Sequence, residues 1–592
     1  MNIKLQIKIL QLIILRSILI LFLGISSNAF SQSFYTNWAY PIGGPSYDFG
    51  LNNCIDLNNN VYTLGVFSDS LVLGDGQTQF KSNGRTDFYI IKHDTTGAIL
   101  WAKSFGGTEY DGAGAVVVIE FQVVPFPCGV KTDSSGNVYV FGNYAGTVDF
   151  DPGADDYFLT ADEFTYGFIL KLNPEGDFVF AKSYESTYFQ SFDVSESSIY
   201  LGGTLYQTVD FDQGPGEHIL TNTGQDAFLL KLSNDGDFQN AMQLFSSGYA
   251  GVNQIEVNDE NQAVYISGAY KSDLDLDSSM ISDPLQQLTS QANTDGFVAK
   301  LGVDLDVVEW VKKMNCSSDG ILNELSINSS EDIILSGRFK DTMTVILNGI
   351  VNQIFTQGLF DSFILKVNPE GHFEKILVIG DSNSNSISAQ TLDPQNRIYI
   401  SGSLKSPLNI TFPDETILIE QTGLRNSYVL IIDSDLNYIN HFTAIGGNYI
   451  CDIEDIGIGL SNEINLTGTF TDNPTMSYDP TSILATYQGD YDGIQIQVIF
   501  DFLENSTDSE DRTGIKIYPN PVTDCINFDI KTTENLVSVQ LLDATGRLIL
   551  QQMFTSIGTQ TLSLRGLAKG IYYCRLSKDG IPIQTAKVVK VN

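Results

Sequence analysis

Between residues 36 and 500 the apolar residues fall in short runs, rich in Val, Ile, Tyr and Phe and separated by Gly, Asn, Asp and Ser. Runs of this composition read as strands, and no apolar spacing of helical period lies between them. Val138-Tyr139-Val140-Phe141 is apolar at every position, so the pattern predicts a strand covered on both faces. Phe178 to Lys182 is less uniform, as an outer strand would be. The runs also recur. One of them ends on a glycine at Gly65, Gly142, Gly203, Gly268, Gly337, Gly402 and Gly468, with gaps of 77, 61, 65, 69, 65 and 66 residues. A second run gives an independent anchor at Tyr89, Phe168, Phe228, Phe297, Phe363, Tyr428 and Ile494. Five of these are followed three residues later by a lysine: Lys92, Lys171, Lys231, Lys300 and Lys366. Two signals of one period, near 67 residues, mark a repeat architecture.

The clearest unit, Gly136 to Tyr184, places four strands in each repeat. Strand a precedes the Asp133 turn, b ends at Gly142, c contains Phe168, and d is the run that reads WAKSFGG in its first copy. Seven four-stranded sheets, each needing cover on two faces, predict an all-β fold, a seven-bladed β-propeller over residues 32–500. Trp38-Ala39-Tyr40-Pro41-Ile42-Gly43-Gly44 matches Trp101 to Gly107, so the chain begins with a lone strand d. The seventh unit stops near Phe500 after strand c. The first strand is therefore expected to complete the last sheet, which removes two open edges. The repeat resembles the SBBP-type beta-propeller repeats of secreted proteins from the Bacteroidetes, through GNVYVFGNYAGTVDFDPG, GFILKLNPEG and WAKSFGG. That resemblance implies a fold and hardly any activity.

The ends carry other signals. Lys4 and Lys8 precede the apolar core Ser17 to Ile25, and Ala29-Phe30-Ser31 supplies small residues, so residues 1–31 read as a signal peptide cleaved between Ser31 and Gln32. Arg16 interrupts the apolar run, and no transmembrane segment is expected in the mature chain. Residues 501–514, DFLENSTDSEDRTG, have a linker composition. Residues 515–592 hold nine basic and five acidic residues and predict a small C-terminal β-sandwich. This stretch resembles the type A sorting domain of type IX secretion. The resemblance rests on Tyr518-Pro519-Asn520-Pro521, on Leu542 to Arg547 with Gly546, on Leu567 to Tyr572 with Gly570, and on the basic end Lys587 to Lys590. It implies export via the periplasm to the outer-membrane surface or the medium, with the type IX secretion machinery as partner. Cys525 and Cys574 both fall here, as a disulfide or as two free thiols.

The chain has 71 acidic and 32 basic residues, a net charge of −39, which repels nucleic-acid phosphates. No His-Glu-x-x-His or Gly-x-Ser-x-Gly pattern is present. Three loops between strands b and c carry paired aspartates: Asp149 and Asp151, Asp210 and Asp212, Asp275 and Asp277. Carboxylates two residues apart point the same way on an extended chain. They supply part of a calcium shell of ~6–8 oxygens, or they cap backbone N–H groups of turns. These loops and an insertion from Gly107 to Asp133 are expected to share one face, where binding usually resides. The expected function is a secreted or surface-displayed, non-catalytic propeller that binds a glycan or a protein partner. The alternatives are a polysaccharide-active enzyme using Asp/Glu pairs and a structural component of the envelope. Carboxylates clustered in a deep central cleft favour the enzyme; a shallow face favours binding.

Overall fold

The computed structural model describes residues 33–590 except 110–116, 120–121, 125–126, 277–286, 291, 382–385, 422–423, 446–450, 461, 472–474, 477–490, 502–515, 519–524, 531–536, 543–547, 555–557, 568 and 579–580. The proposed cleavage site at Ser31 and Gln32 lies outside these residues, as do Asp277, Pro519, Asn520, Pro521, Gly546 and nearly all of the linker. Two compact units divide the chain, Thr36–Ile499 and one that contains Phe500–Asn592.

The larger unit is all-β and antiparallel. Among the described residues its strands form six successive four-stranded meanders and a seventh four-stranded set. The fourth runs Tyr249–Asn258, Ala263–Lys271, Asp295–Gly302 and Val308–Lys313, paired in that order as strands a to d. The seventh runs Cys451–Ile458, Glu463–Phe470 and Asp492–Asp501, and its fourth strand is Ser33–Gly43 from the start of the chain.

The apolar pattern explains the packing. Strands b and c are buried along their whole length at Val61–Phe67, Asp87–His93 and Asn426–Ile432. A sheet buried on both faces needs a neighbour on each. Phe88 and Ile90 accordingly share a core with Val140 and Phe168 of the next sheet, Tyr265 and Val298 with Leu335 and Phe363, and Ile334 and Ile364 with Ile400 and Leu430. Between the seventh and first sheets the contact is mixed: Ile42 packs with Phe67, Tyr89 and Ile91, and Thr63 donates its hydroxyl to Gln495 Oε1 at 3.1 Å.

The connections between strands b and c differ from the expected irregular loops. Most fold into two-stranded ribbons, such as Asp273–Asp275 with Gln287–Thr289 and Leu408–Thr411 with Thr416–Ile419. Their backbones pair with strand d of the preceding sheet or the residues just after it: Val148 and Asp149 with Gly107 and Gly106, Met343 with Cys316 of Asn315–Cys316, Met476 with Ala444. Leu73 of the first sheet pairs in the same way with Ile42 of Ser33–Gly43. On four of the outer strands an aromatic ring packs over the c–d turn of the following sheet. A Cβ at Gly176, Gly236 or Gly371 would lie 2.8–3.0 Å from atoms of Trp101, Phe180, or Trp310 and Lys312, and one at Gly97 would lie 2.8 Å from Trp38. All four turn glycines have positive φ, the second reason they carry no side chain.

The recurring lysine joins the same junctions. Lys171 lies over the Tyr139 ring at 5.0 Å and donates to the Asn234 carbonyl of the next sheet at 2.7 Å; Lys92 over Tyr62 donates to Pro174 O at 3.2 Å. Charge-assisted bonds of this kind contribute about 1.5–3 kcal/mol each.

In the second unit a three-stranded sheet (Lys516–Tyr518, Cys525–Ile530, Gly558–Ser563) and a four-stranded sheet (Leu548–Phe554, Val537–Leu542, Gly570–Lys578, Ile581–Lys590) share one core. Ile526 and Leu562 enter it from the first sheet, Val539, Leu541 and Cys574 from the second. All six cysteines of the chain are free thiols, Cys525 and Cys574 included.

Deleting residues 33–43 strips the strand Asp492–Asp501 of its outer neighbour and uncovers Gly97. The expected outcome is a lower Tm and concentration-dependent aggregation through the freed edge, read by differential scanning calorimetry and light scattering. Unchanged melting and solubility would show that this strand contributes nothing to the last sheet.

Candidate functional site

The innermost strands of the seven sheets are Asp48–Ile55, Gly129–Thr132, Thr187–Val194, Tyr249–Asn258, Gly320–Ile327, Ser386–Leu392 and Cys451–Ile458. Residues from all seven segments, among them Asn52, Lys131, Gln190, Gln254, Glu324, Gln390 and Asp455, line one cavity of about 530 Å³.

A β-bulge builds this lining. In six sheets one extra residue interrupts the pairing of strand a with strand b: Leu51, Gln190, Asn253, Asn323, Ser388 and Glu454. A bulge re-aims the side chains on either side of it. It also pushes a carbonyl towards strand b, at the recurring glycine. A Cβ there would meet Phe49 O at 2.0 Å from Gly65, Tyr188 O at 2.0 Å from Gly203, Gly251 O at 2.1 Å from Gly268 and Asp452 O at 2.1 Å from Gly468. The glycine that reveals the repeat is thus the one residue that accommodates the bulge.

Some polar lining groups tie neighbouring inner strands together. Val130 N donates to Asn52 Oδ1 at 2.9 Å, Asn253 Nδ2 to Leu322 O at 2.8 Å, and Asn53 N to Asp455 Oδ2 at 2.7 Å. The last of these links the first sheet to the seventh. Charge is concentrated in the same space. Lys131 Nζ is 2.5 Å from Asp193 Oδ1. Burial pulls this ammonium down, but the Asp193 and Glu256 carboxylates outweigh it and hold the lysine above its ordinary range. Burial pushes Glu256 up to about 7 against the pull of Lys131. It raises Asp455 to about 6, although N–H groups of Asn53 and Ile456 hold the carboxylate. Glu324 is raised well above the carboxylate range by burial and by its acidic neighbours. Glu454 is raised by burial and partly restored by Arg425. The cavity therefore offers amides, hydroxyls, one ammonium and carboxyl groups that exchange protons near neutral pH.

The aspartate pairs stand elsewhere. Asp149 Oδ1 accepts the N–H of Asp151 at 3.0 Å and of Tyr157 at 2.9 Å, and Asp151 Oδ1 accepts that of Gly153 at 2.8 Å. Asp210 and Asp212 repeat this arrangement with Asp212, His218 and Gly214. Asp275 Oδ2 accepts from Gln287 Nε2 at 2.8 Å. Asp149, Asp210 and Asp275 each lie on their own ribbon or strand extension. Among the described residues no group of three or more His, Cys, Asp and Glu side chains is arranged around a metal position. Within the Gly107–Asp133 insertion, Val117–Ile119 and Gln122–Val124 form a small hairpin. Tyr518 and Gly570 of the sorting signature lie on strands of the second unit.

The cavity residues Lys131, Glu256, Glu324, Glu454 and Asp455 carry no motif. For Glu324 and Asp455 the signal that would have found them is positional. Asn52, Glu324, Ala389 and Asp455 each precede their anchor glycine by 13 residues, on a strand too mixed in character to stand out as apolar.

An all-β repeat unit with an internal polar cavity, followed by a smaller β unit, defines the class of this molecule. Residues 516–591 match the family of secretion system C-terminal sorting domains. The chain thus ends in a type IX sorting domain that engages the export machinery, and the protein is exported to the cell surface or the extracellular space. Over 304 residues the chain is 25% identical to an uncharacterised WD repeat-containing protein of Acanthamoeba polyphaga mimivirus; this spans 45% of the chain and about a fifth (21%) of that relative. A solved DUF4221-family protein from Bacteroides vulgatus shares 9% identity at a TM-score of 0.29, over 79% of this chain and 99% of that one. The extracellular domain of a putative one-component system from B. thetaiotaomicron shares 10% identity at a TM-score of 0.16, over 95% and 100%. Likenesses at that level fix neither site nor ligand. Among the described residues no helix is long and apolar enough to cross a membrane.

The raised carboxyl groups set a pH dependence. Glu256 in the folded protein keeps its proton up to about 7, against an ordinary value of 4.5, so the folded state binds a proton that the unfolded state has lost. Stability is therefore gained as pH falls from 8 to 6.5 and lost as it rises. His93, pushed down to about 4 by burial, acts in the opposite sense but only below its ordinary value of 6.5. Urea midpoints measured between pH 8 and 6.5 are expected to rise for the native protein and to stay flatter for Glu256→Gln. Equal slopes would remove Glu256 from this role.

Proposed function

We propose that the protein is a secreted, non-catalytic seven-bladed β-propeller that binds a glycan in its central cavity. The single observation that carries the binding reading is the cavity itself, lined by all seven inner strands with amide, hydroxyl and carboxyl groups. Such groups match the donors and acceptors of a polyhydroxylated ligand, and sites with convergent polar groups are where ligands bind. The propeller reading is supported by the order of the sheets and by the pairing of Ser33–Gly43 into the seventh. It is also supported by the ribbon contact at Ile42 and Leu73, which repeats the rule of the other junctions. The similar WD-repeat protein belongs to a class of repeats built as propeller blades. Residues 1–31 complete the reading as a signal peptide removed before Gln32, and 501–514 as the linker to the sorting domain.

The carboxyl groups gathered in the central cavity, Glu256, Glu324, Glu454 and Asp455, meet the criterion set above for an enzyme and favour a second reading. A carboxyl group held near neutrality, such as Glu256, suits a general acid in polysaccharide cleavage. Both readings are tested on the secreted protein with a glycan array and a polysaccharide-hydrolysis screen. The binding reading expects saturable binding without product release, with affinity lowered at least about tenfold by Glu324→Ala or Gln254→Ala, the order of one or two lost polar contacts. Hydrolysis abolished by Glu256→Gln would establish the enzyme instead. Failure of both leaves a structural role in the envelope.

Calcium at the aspartate pairs is tested separately. A cation bound only by the folded protein raises Tm at millimolar calcium, and changing Asp149, Asp151, Asp210 and Asp212 together to Asn removes that rise. Turn capping alone lowers the Tm of the variant equally with and without calcium.

A further inference from the structure

A second cavity, of about 610 Å³, lies between the fourth and fifth sheets. Its volume falls within the ~300–1,000 Å³ of small-molecule sites. One wall is the outer strand Val308–Lys313 of the fourth sheet, and another is the c–d turn of the fifth. The third is the ribbon Thr342–Leu347 with Ile350–Phe355. This ribbon is held at both ends. Its base pairs, through Met343 and Cys316, with the segment Asn315–Cys316 that directly follows the outer strand of the fourth sheet. Its tip, the turn Asn348-Gly349 with φ of 49° and 79°, donates from Asn348 N to Phe373 O at 3.2 Å and from Asn348 Nδ2 to Glu374 O at 3.1 Å. The cavity is therefore preformed.

Its chemistry is opposite to that of the central cavity. Val311, Val345, Ile346 and Phe373 line it, and Ile346 remains 54% exposed to solvent. The charged and titratable lining residues are Lys312, Lys313 and His372, with no Asp or Glu among the described lining residues, in a chain of 71 acidic residues. Lys313 donates its ammonium to Thr289 O at 2.8 Å. Of the strand-c lysines, Lys231 pairs with Asp304 and Lys300 with Glu309, each within 2.9 Å. No ion pair of Lys312 occurs among the described residues. An apolar cavity with an uncompensated ammonium at its wall fits a ligand with an apolar tail and an anionic head.

We propose that this cavity binds a long-chain carboxylate, with the tail against Val311, Val345, Ile346 and Phe373 and the head at Lys312. The site is separate from the central cavity and does not rest on the glycan reading.

The test is isothermal titration of the full mature protein at pH 7.5 with laurate below its micelle concentration, with dodecanol, and with phosphatidylglycerol vesicles. Laurate is expected to bind saturably at one site, at least tenfold tighter than dodecanol. Ile346→Asp, on the exposed ribbon, is expected to weaken both at least tenfold. Lys312→Glu is expected to weaken laurate at least tenfold and leave dodecanol unchanged; the melting temperature of each variant confirms folding, and Lys312→Glu decides alone if Ile346→Asp does not fold. No saturable binding of laurate, equal affinity for laurate and dodecanol, or indifference to Lys312→Glu overturns the proposal. Vesicle binding that depends on Lys312 without laurate binding overturns it as well, and identifies a membrane-docking surface.

Discussion

Cover on both faces is the constraint from which the rest of the larger unit follows. A strand such as Val61–Phe67, buried at every position, cannot sit at a surface. A sheet that holds such a strand must therefore lie between two others, and side-chain packing alone would leave their order loosely set. Backbone pairing between an outer strand and the next ribbon fixes the order, because it demands one register: Gly107 with Val148, Cys316 with Met343, Ile42 with Leu73. The strand-c lysines add a directional bond across the same junctions. Lys171 is almost fully buried, and its charge is tolerated there because the Tyr139 ring and the Asn234 carbonyl replace its water.

The cavity is a by-product of the same arrangement. Where seven inner strands converge, apolar side chains on every inward position would either fill the space or expose themselves to water. The bulges at Gln190, Asn253 and Glu454 resolve this by turning polar residues inward while the strand ends stay in the core. The acidic groups so placed keep protons that they would release in water, which lowers the repulsion among Glu256, Glu324 and Asp455.

Strands b and c were legible in the sequence because burial on two faces leaves an unbroken apolar run, and the anchor glycine because a bulge carbonyl admits nothing larger. The inner strands were harder to read. They are half apolar, and the extra residue breaks the period of two on which strand patterns rest. The acidic b–c stretches read as loops because Asp, Gly and Pro dominate them, yet their backbones pair as ribbons and their carboxylates cap N–H groups, as at Asp149 and Tyr157. A further recurring acid stands at the start of strand c, where no apolar pattern marks it: Asp87, Asp226, Asp295, Asp361 and Asp492 are all buried. Asp226 shows why, since it accepts from Thr223 N and Ser246 N and so ties two connections to its sheet. The periodic lysine was visible, but its partner lies in the following repeat, and no local pattern names it.

The strand that begins the larger unit has a consequence in time. Asn37 donates to Gln497 across 460 residues of chain. Closing a loop of that length costs about 3 kcal/mol more than closing one of ten residues, since the penalty grows as the logarithm of length. The last sheet therefore lacks its outer strand until nearly the whole chain is available, and contacts so distant in sequence slow folding. For an exported protein such lateness is useful: an emerging chain that has not yet joined its two ends remains threadable.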